Sequence, residues 1–501
     1  MREVQPGCPQ QAVRKRTALL AAIAVGVLAA AVRLPGAFTN SLWQDEVVSA
    51  NIVLEPTPIA MLRHVARTES SPPAWYGIAW SGHELGISVE ALRLLSVLAG
   101  ALLAGLVVLW GRRLMPLWGS VLAGVLVALG SQLVTHGSEL RAYELYALVS
   151  LLFAMALDRF AASPTLATAA ILTGSVVVGT LTHYFFLLFA VAGLAWLALS
   201  PHLRPVRARA SVAIAVGLLP FLVWIPVLKH QYERERFSWI GSFDLRTVLA
   251  ANWQLFAGSW PHTEALKNLL ALVFLGAVVA GAVVLARHGG RARLCGLCAI
   301  VPFAAGASIW LAGAPLFAVR NLLGVGAFAA LALAALVSRL PRIPALGGGF
   351  AVLALAAVGV VDAAEHGPPA FDRAAQELVA QGWRPNDPIV LYGEFFEFRG
   401  PLRWYLHEPR LTLAERTRQR CARLFVVSDR RKPSERFLEG RLASASDMAG
   451  KILVARIERP PPFADPVWRG GRMLVLLSAR TGCVHAVPER SVLASLPNAR
   501  L

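Results

Sequence analysis

Charge is what this sequence has least of. Asp, Glu, Lys and Arg make up 16% of its 501 residues, against about 25% in an ordinary soluble domain. The charge that exists leans one way, with 48 basic side chains to 30 acidic and a formal net charge of +18. Cysteine is also scarce. Five cysteines are too few for a disulfide framework. Cys295 and Cys298 form a Cys-x-x-Cys at the head of an apolar run with no second pair, which reads as helix packing rather than zinc or redox chemistry. Cys421 and Cys483 fall in the C-terminal region, where an oxidising compartment would let them pair. There is no GxxxxGK[ST], no GxGxxG opening a strand–helix unit and no HExxH. Nothing therefore supports ATP-driven transport or nucleotide-sugar chemistry on a soluble fold.

Apolar residues take up the space that charge leaves. They are 56% of the chain, with a mean hydropathy of +0.56, and they gather in runs such as Ala18 to Val32, Ala101 to Trp110 and Ala271 to Ala286. A helix needs about 20 mostly apolar residues to cross a bilayer core. Candidate spans are 17–34, 92–110, 117–134, 142–157, 166–181, 185–199, 211–228, 266–286, 294–311, 322–337 and 346–361, about eleven in all. Arg14 to Ala31 has the look of a signal peptide but is slightly long for one, so it is expected to stay as the first span.

The net charge does not point to nucleic acid. Its arginines and lysines sit between spans, in Arg14-Lys15-Arg16, Arg112-Arg113, Arg204/Arg207/Arg209, Arg287/Arg291/Arg293 and Arg339/Arg342. With an odd number of spans and the amino terminus in the cytoplasm, each cluster falls on the cytoplasmic side, as the positive-inside rule requires. The expected location is the plasma or inner membrane, multi-pass, with everything after Val361 outside. Residues 1–363 then form the transmembrane domain and 364–501 an extracytoplasmic one. Gly367-Pro368-Pro369 marks the linker, Phe371 to Gln381 has the pattern of an amphipathic helix, and 388–392, 423–428, 451–457 and 473–477 have the pattern of strands. The fold class expected is mainly α, followed by a small α/β domain of about 130 residues.

Ionisable residues are nearly absent from the spans and collect at their outer ends, which suits a site at the membrane boundary better than a transport path. Asp45 and Glu46 follow the first span. One carboxylate beside an activated sugar phosphate would serve as general base; equally, both would suit the first turn of a helix. Ser71-Pro72-Pro73-Ala74-Trp75-Tyr76 predicts a rigid turn into a helix, with its aromatics at the level of the membrane interface. Glu139 and Tyr143, four apart, share a helix face, and Arg141 between them suits a lipid phosphate. His183-Tyr184 marks an outer junction between spans. Arg320, in Pro315-Leu-Phe-Ala-Val-Arg320, breaks the charge rule on the outer side and is a phosphate-binding candidate for that reason. The charged stretch Lys229 to Arg236, followed by Phe237-Ser-Trp-Ile240, suggests a lid or interfacial helix.

In their order these motifs resemble the GT-C superfamily of integral-membrane glycosyltransferases. The closest branch holds protein O-mannosyltransferases and the aminoarabinose or galacturonosyl transferases of lipid A. The resemblance covers roughly residues 17–340 and rests on Leu42-Trp-Gln-Asp45-Glu46, Ser71 to Tyr76 leading to Ala91-Leu-Arg93-Leu94, Glu139 to Tyr143, and Pro315 to Arg320. It implies a polyprenyl-phosphate sugar donor, an extracytoplasmic acceptor (protein, lipid A or cell-wall glycan), and inversion at the anomeric carbon. Asp45 would be the base with Glu46 its neighbour. Arg141 and Arg320 would hold the donor phosphate, with Glu139, Tyr143, His183 and Tyr184 around the substrate. The resemblance fixes no cofactor, and a divalent cation held beside the acids is an option it leaves open. Ser70-Ser71 stand where relatives carry Glu-Lys or a His before the prolines, and Asn321 stands where Tyr commonly follows the arginine. Two other readings are a polysaccharide ligase or polymerase using a lipid-pyrophosphate donor, and a flippase or transporter of lipid-linked sugars.

Overall fold

The computed structural model describes residues 8–261, 263–365, 371–380, 382–385, 389–392, 395–408, 422–428, 453–457 and 474–482. Cys421 and Cys483 lie outside them. The chain divides into two compact units, Met1–Phe38 with Ser49–Ala363, and Thr39–Val48 with Ala364–Leu501.

The first unit is helical and polytopic. Helix α1 (Cys8–Thr39) is followed by short helices α2 (Gln44–Val53), α3 (Pro58–Thr68) and α4 (Ala74–Glu84). Then come α5 (Leu94–Gly111), α6 (Leu117–Leu129), α7 (Ser131–His136), α8 (Tyr143–Ala162), α9 (Leu166–Thr182), α10 (Leu187–Leu199) and α11 (Arg204–Glu233). The last set is α12 (Leu245–Ala257), α13 (Glu264–Arg287), α14 (Gly290–Leu311), α15 (Leu323–Val337) and α16 (Arg342–Glu365). Eight helical stretches among the described residues are long and apolar enough to cross a membrane. Three shorter apolar helices, at 117–129, 166–182 and 184–199, occupy the other expected positions. Helix α15 is buried almost throughout and forms the centre, against α5, α6, α8, α13 and α14. Cys295 and Cys298 are free and buried on α14, in a packing role.

The basic turns share one end of this unit. Arg113, after α5, and Arg291, at the head of α14, approach Asp158 near the end of α8 at 4.0 and 3.6 Å. Arg293 donates to Leu199 O at 2.6 Å, and Arg207 to Leu197 O at 2.8 Å. Four inter-span turns are thereby tied together through their cations and the carbonyl ends of neighbouring helices, which favour positive charge.

The spans are less free of charge than the sequence suggested. Arg33, on α1, and Glu144, in the first turn of α8, are both wholly buried and pair at 3.0 Å. Arg33 also donates to Ala29 O at 3.0 Å, Ala128 O at 2.7 Å and Val127 O at 3.3 Å. The last two carbonyls lie in the final turn of α6, where a helix leaves its acceptors unpaired. The predicted single span 117–134 in fact breaks at Gly130, between α6 and α7, and Arg33 supplies the hydrogen bonds the break removes. Gly137 gives the guanidinium room, since a Cβ there would lie 2.3 Å from Arg33 Nε.

In the second unit, Phe371, Ala374, Ala375 and Leu378 form the buried stripe of α17 (Phe371–Ala380), at the spacing of one helix face. It packs on α18 (Phe395–Tyr405), whose Leu402 is buried. Strands β1 (Ile389–Tyr392), β2 (Ala422–Ser428), β3 (Leu453–Ile457) and β4 (Leu474–Gly482) form one sheet in the order β1-β2-β4-β3. β1 and β2 are parallel, and the other pairings are antiparallel. A parallel pair needs a crossover, and α18 lies within it.

Replacing Arg33 by Leu should cost about 3–5 kcal/mol, because Glu144 is left buried without its cation. The loss is read as a lower thermal unfolding midpoint of the detergent-solubilised protein. Replacing Glu144 by Leu as well should recover part of it; a double variant no more stable than the single one would deny that the pair is coupled.

Candidate functional site

The motifs that carry Glu69, Arg141, His183 and Arg320 lie at the end of the first unit opposite the basic turns. Thr57 caps α3, its hydroxyl accepting from the Ala60 amide at 3.2 Å, with Pro58 in the first turn. The helix stops at Glu69, whose amide closes on Val65 O at 3.0 Å. Pro72 and Pro73 then start α4, so that Tyr76 lies in its first turn. Glu69 and Tyr76 are thus delivered side by side by the proline motif. Both are buried, as is Trp75, which meets Tyr76 edge-on at 5.1 Å. The aromatics of this motif are core residues rather than an interfacial belt.

Glu69 and Tyr76 surround Arg141. The guanidinium donates to Glu69 Oε1 at 2.9 Å through Nη1 and to Glu69 Oε2 at 3.3 Å through Nη2. Nη1 also reaches Ser49 Oγ at 3.0 Å and Tyr76 Oη at 3.3 Å. Side-chain exposures of 5% for Arg141 and 4% for Glu69 place the pair out of solvent. The fork that the sequence offered to a phosphate is engaged by a carboxylate. Burial, foremost, holds the Tyr76 phenol well above its ordinary pKa, so it stays protonated and able to donate.

The segment carrying Glu139, Arg141 and Tyr143 is held by its backbone. Ser96 Oγ donates to Glu139 O at 2.7 Å and to Arg141 O at 3.2 Å, and Ser138 Oγ donates to Arg33 O at 3.0 Å. The Glu139 carboxylate turns away from Arg141 to His136, 2.7 Å from Nδ1 in a buried pair. Tyr143 stands between two cations, with its ring centroid 5.8 Å from the Cζ of both Arg141 and Arg320.

Arg320 lies in a short turn, Val319–Leu322, before α15. Asn321 shapes that turn, donating to Leu316 O at 2.7 Å and accepting from the Tyr146 hydroxyl at 3.1 Å through its own carbonyl. The asparagine therefore closes the loop that presents the arginine. The Arg320 Cζ lies 3.6 Å from the Trp239 ring centroid, a cation–π contact that the sequence did not single out. Trp239 is carried there by α11, which continues through the charged stretch to Glu233 before a turn begins. Phe237 in that turn packs against Tyr184 and Phe221. The Tyr184 hydroxyl donates to Gln231 Oε1 at 2.6 Å and accepts from Trp224 Nε1 at 2.9 Å. Tyr184 thus anchors the turn that brings Trp239 to Arg320. His183 stacks on Tyr146 at 4.6 Å. Burial first, then Arg141 and Arg320, lower its pKa to about 3, so it is a neutral side chain between two cations.

Asp45 and Glu46 belong to the second unit and occupy the first turn of α2. Glu46 is buried and folds back, with its Oε2 accepting from the Trp43 amide at 3.3 Å. A glutamate reaching back to the amide that precedes the helix is half of a capping box. Asp45 is only half-buried. Among the described residues, no group of three or more His, Cys, Asp or Glu side chains is placed to hold a metal ion.

No protein-family model and no curated protein sequence matches the chain. Solved structures do. ArnT from Cupriavidus metallidurans in the apo state superposes with a TM-score of 0.52 at 14% identity, over 90% of this chain and 97% of that one. The same protein bound to undecaprenyl phosphate gives a TM-score of 0.53 at 12% identity, over 91% of this chain and 97% of that one.

The state of His183 sets a pH dependence. An unfolded imidazole titrates near about 6.5, whereas His183 in the fold stays neutral down to about 3. The unfolded chain binds the extra proton between those values, so this stability is full above the higher value and is lost as pH falls toward the lower. The thermal midpoint should drop between pH 7.5 and 5, and His183→Gln should flatten that slope. An unaltered slope in the variant would assign the acid sensitivity elsewhere.

The arrangement of helices and these superpositions agree on one architecture: the chain has the fold of ArnT from Cupriavidus metallidurans.

Proposed function

We propose that the protein is an inverting glycosyltransferase that moves a single sugar from a polyprenyl-phosphate donor to an extracytoplasmic acceptor. The observation that carries this reading is the cluster of Arg141, Arg320, Tyr143 and His183, built at the outer ends of spans on a fold shared with a protein solved with undecaprenyl phosphate bound. A lipid phosphate in the plane of the outer leaflet needs fixed positive charge at that depth, in a pocket where little water competes. Arg320 is half-buried in a loop where the charge rule disfavours it, and it is the direct phosphate ligand. Arg141, bound by Glu69, adds its field from behind Tyr143. His183 stays neutral, so the site gains no third cation that would hold the product phosphate too tightly.

Asp45 is the general base. It takes the proton from an acceptor hydroxyl as that oxygen attacks the anomeric carbon. The bond from that carbon to the phosphate oxygen breaks, and polyprenyl phosphate leaves with the electron pair. Attack opposite to the leaving group inverts the configuration. Glu46 is spoken for by the helix start, which favours Asp45 of the two acids. By the charge rule the basic turns face the cytoplasm, so the amino terminus lies inside and the site outside. Residues 364–501 form the extracytoplasmic domain.

A deletion strain, complemented with each variant at equal protein level and analysed by glycan mass spectrometry, tests the activity and identifies the acceptor. Asp45→Asn should fail to restore the missing glycan, and full restoration would remove Asp45 as the base. Loss of polymer length rather than of one sugar would point to the lipid-pyrophosphate ligase or polymerase. Lipid-linked sugar stranded on the inner leaflet would point to a flippase. Arg320→Ala should weaken binding of undecaprenyl phosphate about 10- to 100-fold, as for a lost charge-assisted hydrogen bond; unchanged binding would count against the phosphate role.

A further inference from the structure

The loop that carries the acid pair is fastened to the C-terminal unit by bonds that neither the fold comparison nor the sequence motifs foretell. Ser41 and Asp372 are 331 residues apart in the chain, yet the Ser41 hydroxyl donates to the Asp372 carboxylate. The Asp372 amide returns a bond to Ser41 Oγ at 3.3 Å. Leu42 and Tyr405 are 363 residues apart, and the Leu42 amide donates to the Tyr405 hydroxyl at 2.7 Å. Ser41 and Leu42 are 2% and 0% exposed and their partners Asp372 and Tyr405 half-buried, so these bonds are partly shielded from water, which strengthens them. Gly400, on α18, lets the chain approach closely: a Cβ there would lie 2.1 Å from Gln44 Oε1.

All of these contacts fall on the four residues that precede Asp45, just where α2 begins. An amide ahead of a helix start has no intrahelical acceptor, and Tyr405 supplies one for Leu42. Asp372, in the first turn of α17, fixes the neighbouring residue. α17 and α18 are packed on each other through the buried stripe of α17. The two anchors therefore form one rigid platform rather than two independent loops.

We infer that Asp372 and Tyr405 are positioning residues for Asp45. By fixing Ser41 and Leu42 they set the first turn of α2, and with it the direction in which Asp45 presents its carboxylate. The C-terminal unit is then part of the catalytic apparatus, although it contributes no group to the reacting atoms. The inference rests on the reading of Asp45 as the base. A misplacement of about 1 Å at a reacting group costs on the order of 100-fold in rate, which sets the size of the effect expected.

Tyr405→Phe in the full-length protein removes the acceptor and keeps the ring. Amide hydrogen exchange across 40–46 should speed up. Glycan yield in the complemented deletion strain should fall about 10- to 100-fold, with the Kd for undecaprenyl phosphate unchanged because the phosphate site is elsewhere. Asp372→Asn, which retains an oxygen for Ser41, should stay within a few-fold of wild type, whereas Asp372→Leu should behave like Tyr405→Phe. Gly400→Val, which crowds Gln44 and leaves Asp372 and Tyr405 in place, gives a second route to the same phenotype should Tyr405→Phe fail to fold. Unchanged exchange across 40–46, or faster exchange with full glycan yield, overturns the positioning role. Full yield in Asp45→Asn sinks the base assignment instead, and the exchange measurement still reports on the tether, so the two failures are distinguishable.

Discussion

The bond on which most of the first unit depends is the buried pair of Arg33 and Glu144. Neither side chain sees solvent, so each is tolerable only because the other is there. Arg33 meets the carbonyl end of α6 and Glu144 stands at the amide end of α8, and each charge has the sign its helix terminus favours. The pair therefore joins α1, α6 and α8 and also permits the break at Gly130 that gives rise to α7. Between that break and Glu144 lie Glu139, Arg141 and Tyr143. Arg33 fixes this stretch from both sides, through Glu144 and through the hydroxyl of Ser138 on its own carbonyl. The charge that holds the membrane fold together is the one that aims the site.

The outer cluster follows from the same economy of charge. Arg141 has Glu69, and His136 has Glu139. His183 is kept neutral by burial and by its cationic neighbours. Each of these buried groups has a partner or a setting that offsets its desolvation, which is what a low-dielectric site must supply before it can favour a new charge. Arg320 also lies against aromatic faces, those of Trp239 and Tyr143, which attract a cation without neutralising it.

The spans were legible because their signal is additive. Long apolar runs and basic turns each repeat many times, and helices such as Leu166–Thr182 and Glu264–Arg287 begin and end within a few residues of the expected bounds. What the sequence hid was non-local. Arg33 resembles one more residue at a span end, and only its distance from Glu144 makes it a hub. Glu69 stands one place from the position the family pattern favours, and its role emerges from a turn that brings it to Arg141. Trp239 sits at the end of a charged stretch with no motif of its own. Helix α12 was passed over because polar residues such as Asn252 and Gln254 interrupt its apolar pattern. The proline motif was recognised, but its aromatics were expected at an interface and are buried.

The two acids of the first loop stand in different settings. Adjacent carboxylates on a helix point about 100° apart, so they cannot serve one role. Glu46 reaches back to the Trp43 amide, which costs it the freedom a base needs and secures the first turn of α2. Asp45, one residue earlier, is half-buried in the same turn, whose geometry its neighbour helps to define. Under the proposed mechanism Asp45 is the acid that reacts and Glu46 the acid that shapes the turn, so the two neighbours divide the work between them.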